Sequence, residues 1–280
     1  MNQKYKQKLL QTKCTNNSST LIHPIIETHC HLDYFETEEL ESIMKQCLEL
    51  GIEKLITISV DSSNLQRVID YSNQYENIFG SQGIHPHKAS EWNTDIKEII
   101  IKNLTNNKKL VAVGEAGLDY HYNYSPRKEQ INAFEQQLQI ASDLNLPIVI
   151  HSRDAEDDTI SILKNFSSQL KRKGVIHSFS SKKELADFTL NDGFYLGFNG
   201  IISFKSANEL REIVKTTPIE QIILETDSPY LTPSPFRGTK NTPAFLPFIA
   251  DIISEEKQIP IKSMLETIYK NTISLFKLPM

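Results

Sequence analysis

The sequence contains little cysteine and no long apolar segment. Its three cysteines, Cys14, Cys30 and Cys47, are too few and too irregularly spaced for a disulfide framework or a zinc finger. No apolar run approaches the roughly 18 residues that a membrane-spanning helix needs. We therefore expect a cytoplasmic protein that makes no membrane contact.

The chain also lacks an excess of basic residues. Its formal net charge is −5 over 280 residues, which argues against a protein that coats nucleic acid through a broad basic surface. An acidic enzyme can nevertheless act on nucleic acid if bound cations offset its carboxylates. The charge therefore excludes one binding mode and leaves nucleic-acid enzymes open.

The first 24 residues contain neither an acidic residue nor arginine. They include four lysines but no apolar centre of the kind found in secretory signals. An organelle transit peptide usually contains arginine, so we interpret residues 1–24 as a polar, flexible extension. Residues 25–280 then form one domain, a length that suits a single α/β barrel.

Short apolar or β-branched segments alternate with helical patterns after residue 24. The segment 130–145, "QINAFEQQLQIASDLN", has apolar residues at helical spacing, and two further helices are expected at about 243–257 and 261–275. Strands are predicted at 25–29, 54–60, 78–84, 110–115, 147–151, 174–177, 194–199 and 221–227. Eight strands that alternate with helices favour a parallel (β/α)8 TIM barrel over an open sheet.

Metal-ligand residue types cluster at the predicted strand ends. Barrel enzymes build their active sites at the carboxyl ends of the strands. Any one of these histidines, taken alone, is more simply a structural residue. Together they predict a metal site. The set comprises His29, His31, His85, His87, Glu115, His151, His177 and Asp227.

The ligand set mixes imidazoles with carboxylates, which suits zinc, manganese or magnesium. Because one glutamate can bridge two cations about 3.5–4 Å apart, we expect two divalent ions per chain. The first would be bound by His29, His31, Glu115 and Asp227, and the second by Glu115, His151 and His177. Glu115 as the bridge and Asp227 as a ligand and proton acceptor are the expected catalytic residues.

Seven motifs in this order resemble the TatD family of metal-dependent hydrolases: "ETHCHLD", "QGIHPH", "VGEAGLDY", "LPIVIHSRDA", "GVIHSFS", "GFYLGFNGIISFK" and "LETDSPYLTPSPFRGTKNTP". The resemblance implies a barrel fold and the same six metal ligands. It also implies a deoxyribonuclease, including 3′–5′ exonucleases on single-stranded DNA, although some relatives deacylate D-aminoacyl-tRNA. Ser178 and Ser181 depart from the family pattern without removing a ligand.

Phosphodiester hydrolysis by a metal-bridging water or hydroxide suits such a site. The expected contacts to DNA are His85, Arg153, Lys205 and Arg237, since cationic side chains hold phosphates. Arg153 could instead pair with Asp154 or Asp157, and Lys240 could be a solvated surface charge. Tyr230 and Phe236 could stack on a base or simply pack the loop, whereas Asp119 is expected to support the ligands.

Two other function classes remain open from the residues alone. The same site could attack a carbonyl, as in an amide or ester hydrolase such as a D-aminoacyl-tRNA deacylase. A noncatalytic nucleic-acid-binding protein is the third class, but the complete ligand set and the absence of a basic stripe argue against it. No sequence feature marks an oligomer interface, so we expect a monomer.

Overall fold

The computed structural model describes residues 23–122 and 124–280. Most of the expected extension, residues 1–22, therefore lies outside the described residues. Eight parallel strands follow one another around a single sheet. They are β1 (Ile25–Cys30), β2 (Ile52–Thr57), β3 (Ile78–Gln82), β4 (Leu110–Asp119), β5 (Ile148–Arg153), β6 (Gly174–Ile176), β7 (Tyr195–Phe198) and β8 (Ile222–Leu224).

Helices follow the strands along the described chain. They are α1 (Thr37–Glu49), α2 (Leu65–Gln74), α3 (Thr94–Asn106), α4 (Arg127–Leu144), α5 (Glu156–Phe166), α6 (Lys183–Asn191), α7 (Asn208–Thr216), α8 (Leu246–Lys257) and α9 (Ile261–Phe276). Cys30 forms a parallel bridge with Ser228, so the chain after β8 returns to β1. This arrangement confirms the predicted (β/α)8 barrel. Within the described ranges, no helix has the length and apolarity needed to cross a bilayer.

Neighbouring strand residues pack on opposite faces of the barrel wall. Leu55 and Ile148 belong to the core cluster that contains the helix residues, whereas the adjacent Ile56 and Val149 belong to a second cluster. Side chains alternate along a strand, so the second cluster fills the barrel interior. Leu275 and residues beside it, at the end of α9, join that interior cluster.

The observed strand bounds differ from the predicted ones by a few residues, and the differences in β4 and β8 affect the site. β4 continues to Asp119 because it pairs with β5 as far as Arg153, which places Glu115 within a strand. β8 stops at Leu224, and the chain then reaches Asp227 in a left-handed conformation, φ 57°. Aspartate tolerates this conformation better than most residues do.

Candidate active site

The carboxyl ends of the strands surround a cavity of about 680 Å³, which lies within the range of ligand-binding pockets. Its lining includes His31, His85, Glu115, His151, His177 and Asp227. His29 is buried beside these residues, and its ring stacks on the ring of His177 with centroids 3.7 Å apart. The barrel thus brings all six predicted metal ligands together.

Glu115 presents its two carboxylate oxygens to different histidines. Oε2 lies 3.4 Å from Nε2 of His29. Oε1 lies 2.9 Å from Nε2 of His177, 3.1 Å from Nδ1 of His151 and 3.3 Å from Nε2 of His85. A carboxylate at the centre of two imidazole groups has the arrangement needed to bridge two cations.

Asp227 lies at the His29 and His31 side of this cluster. Its Oδ1 is 3.4 Å from Nε2 of His31 and 3.8 Å from Nε2 of His29. The backbone N–H of Asp227 donates to the carbonyl of His29 over 2.9 Å, which ties the end of β8 to β1. The segment with His29 and His31 and the segment with Asp227 are therefore in contact through the backbone as well as through side chains.

The histidines keep the buried carboxylates ionised. Burial by itself opposes ionisation, but His177 and His85 nearby and hydrogen bonds from His151 and His177 hold the pKa of Glu115 well below its ordinary value. The pKa of Asp227 is lowered in the same way, against burial, by His31, His177 and His29. Burial lowers the pKa of His85 to about 4. The site therefore contains carboxylate charge that a cation can neutralise.

Buried ring nitrogens without a hydrogen-bond partner indicate that these histidines could bind a metal. Both ring nitrogens of His29 are buried without a hydrogen-bond partner, although Nε2 faces the carboxylates of Glu115 and Asp227. Buried polar atoms are normally satisfied, so such a nitrogen requires an explanation. Within residues 23–122 and 124–280, three groups have ligand atoms close enough to hold an ion: His29, His31 and Glu115; His85, Glu115 and His151; and His29, His177 and Glu225.

Glu225 is a residue of the site that sequence reasoning missed. It is fully buried, and its Oε1 lies 3.4 Å from Nδ1 of His177 and accepts a hydrogen bond from the Ser178 N–H over 2.5 Å. A Cβ on Gly197 would collide with its carboxylate, so β7 has a glycine where Glu225 needs space. The available signal was an acidic residue two positions before the predicted ligand Asp227 in "LETD".

Glu27 is a second buried carboxyl that was missed. Its Oε1 accepts hydrogen bonds from the backbone N–H groups of His29 and Thr226, at 2.9 and 3.0 Å. Burial raises the pKa of Glu27 well above its ordinary value, despite these hydrogen bonds. Glu27 thus connects the end of β1, where the predicted ligands His29 and His31 lie, with the segment that leads to Asp227.

Asp119 connects His151 to the loop after β4. Its Oδ2 lies 2.9 Å from Nε2 of His151 and 3.0 Å from Nε2 of His87. Its Oδ1 accepts hydrogen bonds from the backbone N–H groups of His121 and Tyr122. Asp119 therefore holds Nε2 of His151, while Nδ1 of the same ring is directed at Glu115. In this orientation Nδ1 is the nitrogen that could bind a metal.

The predicted DNA contacts divide into two sets. His85 and Arg153 line the main cavity, and Arg153 lies over the ring of Tyr122, 4.9 Å from its centroid. Lys205 is exposed and is not among the lining residues of that cavity. Arg237 lies over Phe204 in a neighbouring cavity of about 260 Å³. The structure therefore places two of the four candidates beside the metal-ligand cluster.

Other candidates from the long loop after β8 have structural contacts. Lys240 donates to the carbonyl of Tyr34 and to Glu39, so it fastens this loop to the chain after β1. Phe236 packs against Phe245 and Phe248.

Arg153 has no carboxylate within ion-pair distance among the described residues, so the pairing considered with Asp154 or Asp157 does not occur there.

A (β/α)8 barrel with histidines and carboxylates converging at the carboxyl ends of its strands defines the class of metal-dependent barrel hydrolases. Within that class, the family model described as TatD related DNase matches residues 26–277. The chain belongs to the TatD family, as the seven motifs predicted.

Known relatives and structures agree with this placement. The "Uncharacterized metal-dependent hydrolase YabD" of Bacillus subtilis is 34% identical over 256 residues, which cover 91% of this chain and 99% of the relative. The "3'-5' ssDNA/RNA exonuclease TatD" of Erwinia amylovora is 32% identical, covering 78% of this chain and 85% of the relative. The crystal structure of YJJV, a TatD homolog from Escherichia coli, matches with a TM-score of 0.87 at 28% identity, covering 92% of this chain and all of the other.

Proposed function

We propose that this chain is a deoxyribonuclease that hydrolyses phosphodiester bonds, acting as a 3′–5′ exonuclease on single-stranded DNA. The arrangement around Glu115 is the observation that carries the proposal, because its two oxygens face separate imidazole groups. The exonuclease name of the Erwinia relative supports the choice of substrate. The Arg153 side chain lines the cavity and has no carboxylate partner in the described part of the chain, so it adds a phosphate-binding group.

The residues that would hold two divalent cations, Mg, Mn or Zn, are those predicted. His29, His31, Glu115 and Asp227 would bind the first, and Glu115, His151 and His177 the second. The position of His85, 3.3 Å from Glu115 Oε1, makes it a further candidate ligand beside its proposed substrate role. When bound, the cations would neutralise phosphate charge and lower the pKa of a nearby water.

The chain's own residues would then carry out orientation and proton transfer. The Asp227 carboxylate would orient the attacking water and accept its proton, which is a role for a carboxylate within reach of the reacting atoms. Arg153 would donate to a phosphate oxygen from the cavity wall. Asp119 and Glu225 would keep His151 and His177 in fixed orientations, since each lies at one ring nitrogen of its histidine.

The proposal is tested with metal-stripped protein reloaded with Mg, Mn or Zn separately. A 5′-labelled single-stranded DNA should shorten stepwise, whereas a 3′-label should be released in the first step. Chelator and the Glu115→Ala variant should abolish both signals. Surface variant Glu98→Gln is the matched control, because Glu98 is exposed on α3, and it should retain full activity.

Two results would overturn the proposal. One is intact DNA with all three metals. The other is release of D-amino acid from D-aminoacyl-tRNA while DNA remains intact, which would identify the amide or ester hydrolase considered from the sequence. Degradation that starts at the 5′ end would support a nuclease but refute the proposed 3′–5′ polarity.

The location and oligomeric state are part of the same proposal. Cys30 and Cys47 are buried free thiols, which suits the reducing cytoplasm. We further propose a monomer with residues 1–24 as an extension and 25–280 as the catalytic domain. Size-exclusion chromatography with light scattering would give one chain mass for a monomer and twice that mass for a dimer.

A further inference from the structure

Four tyrosines at the cavity are exposed although they are large aromatic side chains. Of the seven exposed large apolar side chains in the described part of the chain, four are tyrosines that line this cavity. Their exposed fractions are 48% for Tyr34, 41% for Tyr122, 69% for Tyr124 and 49% for Tyr230. A ring that only stabilises the fold is normally buried, so these exposed rings call for a different role.

The four rings form two pairs. Tyr34 follows β1 and Tyr230 follows β8, and their rings meet edge to face with centroids 5.8 Å apart. Tyr122 and Tyr124 follow β4, and their rings are stacked at 14° with centroids 5.5 Å apart. Neither pair was identified as a unit from the sequence, where only Tyr230 was considered.

The pairs lie on opposite sides of the barrel mouth. β1 and β8 are neighbours in the closed barrel, and β4 is half a circuit away in the strand order. The metal-ligand cluster lies between the pairs. The ring of His31 contacts the first pair, with centroids 6.0 Å from Tyr34 and 6.1 Å from Tyr230.

The second pair is attached to the other side of the same cluster. His87 meets the rings of Tyr122 and Tyr124 edge to face, with centroids 5.6 and 4.9 Å apart, and it also contacts His85. Arg153 lies over Tyr122. The cluster is therefore bordered on two sides by exposed aromatic rings. On one of these sides lies the guanidinium of Arg153, which has no carboxylate partner among the described residues.

Exposed aromatic rings beside a phosphate-binding site suit unpaired bases. Every base has an aromatic face, so stacking on tyrosine requires no particular base. Bases within a duplex are already stacked and paired, which makes them poor partners for such rings. Two pairs on opposite sides can hold two bases of one strand while the phosphate between them crosses the cluster.

We propose that Tyr34 with Tyr230 and Tyr122 with Tyr124 are two base-stacking platforms on either side of the scissile phosphodiester. This inference rests on the proposed nuclease function on single-stranded DNA, and it adds that the substrate needs at least one unpaired base on each side of the cleaved bond. Binding is tolerant of base sequence, and a double-stranded end must unpair before cleavage.

Tyr124→Ala and Tyr230→Ala test one platform each. Each should raise KM for a single-stranded oligothymidylate about tenfold, within the range expected for one stacked base. Because stacking acts in the bound substrate and the transition state alike, kcat should stay within about twofold. Tyr124→Phe and Tyr230→Phe retain the ring and should have KM values near that of the wild type. Leu48→Ala, at an exposed side chain on α1, is the surface control.

Abasic substrates identify which base meets which platform. An oligonucleotide with a tetrahydrofuran abasic residue at the 3′-terminal or the penultimate position should lose binding to the wild type. The matching alanine variant should show no additional loss on that substrate. If both alanine variants lose the same factor on every abasic substrate as on the intact one, the rings do not stack on these bases and the inference is wrong.

A binding measurement separates this inference from the proposed function. The probe is a phosphorothioate-linked oligothymidylate, and the readout is its dissociation constant for the metal-loaded wild type and the variants. Tyrosine-dependent binding without phosphodiester cleavage would refute the nuclease and retain the platforms. DNA cleavage with unchanged KM and dissociation constant in Tyr124→Ala and Tyr230→Ala would refute the platforms and retain the nuclease. Absence of both cleavage and binding would refute both.

Discussion

The carboxylate of Glu225 lies 3.4 Å from Nδ1 of His177, while the other ring nitrogen of that histidine faces Glu115. The two glutamates therefore contact opposite nitrogens of one imidazole. A carboxylate at Nδ1 favours the tautomer with a proton there, and this leaves the lone pair of Nε2 for the predicted metal ion. We therefore expect a buried residue outside the predicted ligand set, Glu225, to affect metal binding.

Glu225→Gln should weaken metal binding by about 10- to 100-fold, because the amide supports the His177 tautomer less well than a carboxylate does. Titration of stripped protein against a competing metal-binding dye would measure the change. Glu98→Gln, an exposed substitution of the same kind, should leave the affinity unchanged. Wild-type affinity in a folded Glu225→Gln protein would contradict this role.

Metal removal should lower thermal stability. The buried carboxylates of Glu115 and Asp227 are then compensated by histidines alone, and the native state loses a ligand that the unfolded chain does not bind. At a metal concentration about a thousandfold above the dissociation constant, each bound ion adds about 4 kcal/mol, or roughly 10 °C in Tm for a domain of this size. Differential scanning fluorimetry with and without chelator measures it. Equal Tm values would count against a preformed metal centre.

Arg153→Ala should raise KM for short single-stranded DNA about tenfold, since a charged hydrogen bond to phosphate is lost from the cavity wall. Arg237 lies in the neighbouring cavity, so Arg237→Ala should raise KM only for oligonucleotides long enough to reach it. Comparing a dinucleotide with a longer oligonucleotide separates the two. Equal effects of both substitutions on the dinucleotide would refute this assignment.

Lys257 provides a stability prediction away from the site. Its ammonium donates to the backbone carbonyls of Val214, Lys215 and Thr217, at 3.0, 3.0 and 2.6 Å, at the end of α7. Lys257→Met should cost about 1–2 kcal/mol, because these carbonyls lose a cationic donor. Urea unfolding measures it, with Lys262→Met on the exposed side of α9 as control. Activity should be unaffected, and equal stability of the two variants would contradict the capping role.

The sequence predicted the barrel well because each strand and helix has a local pattern. Ile56 and Val149 are apolar and β-branched within short segments, and the alternation of strands with helices leaves few topologies. The placement of His29 and His31 at the end of β1 followed from the same patterns. Their roles as ligands stay a prediction, as does the division of ligands between two ions.

What the sequence could not provide depends on contacts between distant segments. Glu225 lies in a predicted strand, but its contact with His177 requires β6 and β8 to pack around Gly197. The paired arrangement of Tyr34 and Tyr230 requires closure between β8 and β1. Loop residues such as Tyr124 follow no periodic pattern, so their exposure cannot be read from spacing.

Metal stoichiometry tests the central claim, that Glu115 bridges two cations, most directly. Protein reloaded with manganese or zinc, freed of excess ion and analysed by inductively coupled plasma mass spectrometry should contain two ions per chain. Glu115→Ala, folded by circular dichroism, should contain one or none. A wild-type value of one ion per chain, or two ions retained by Glu115→Ala, would contradict the account.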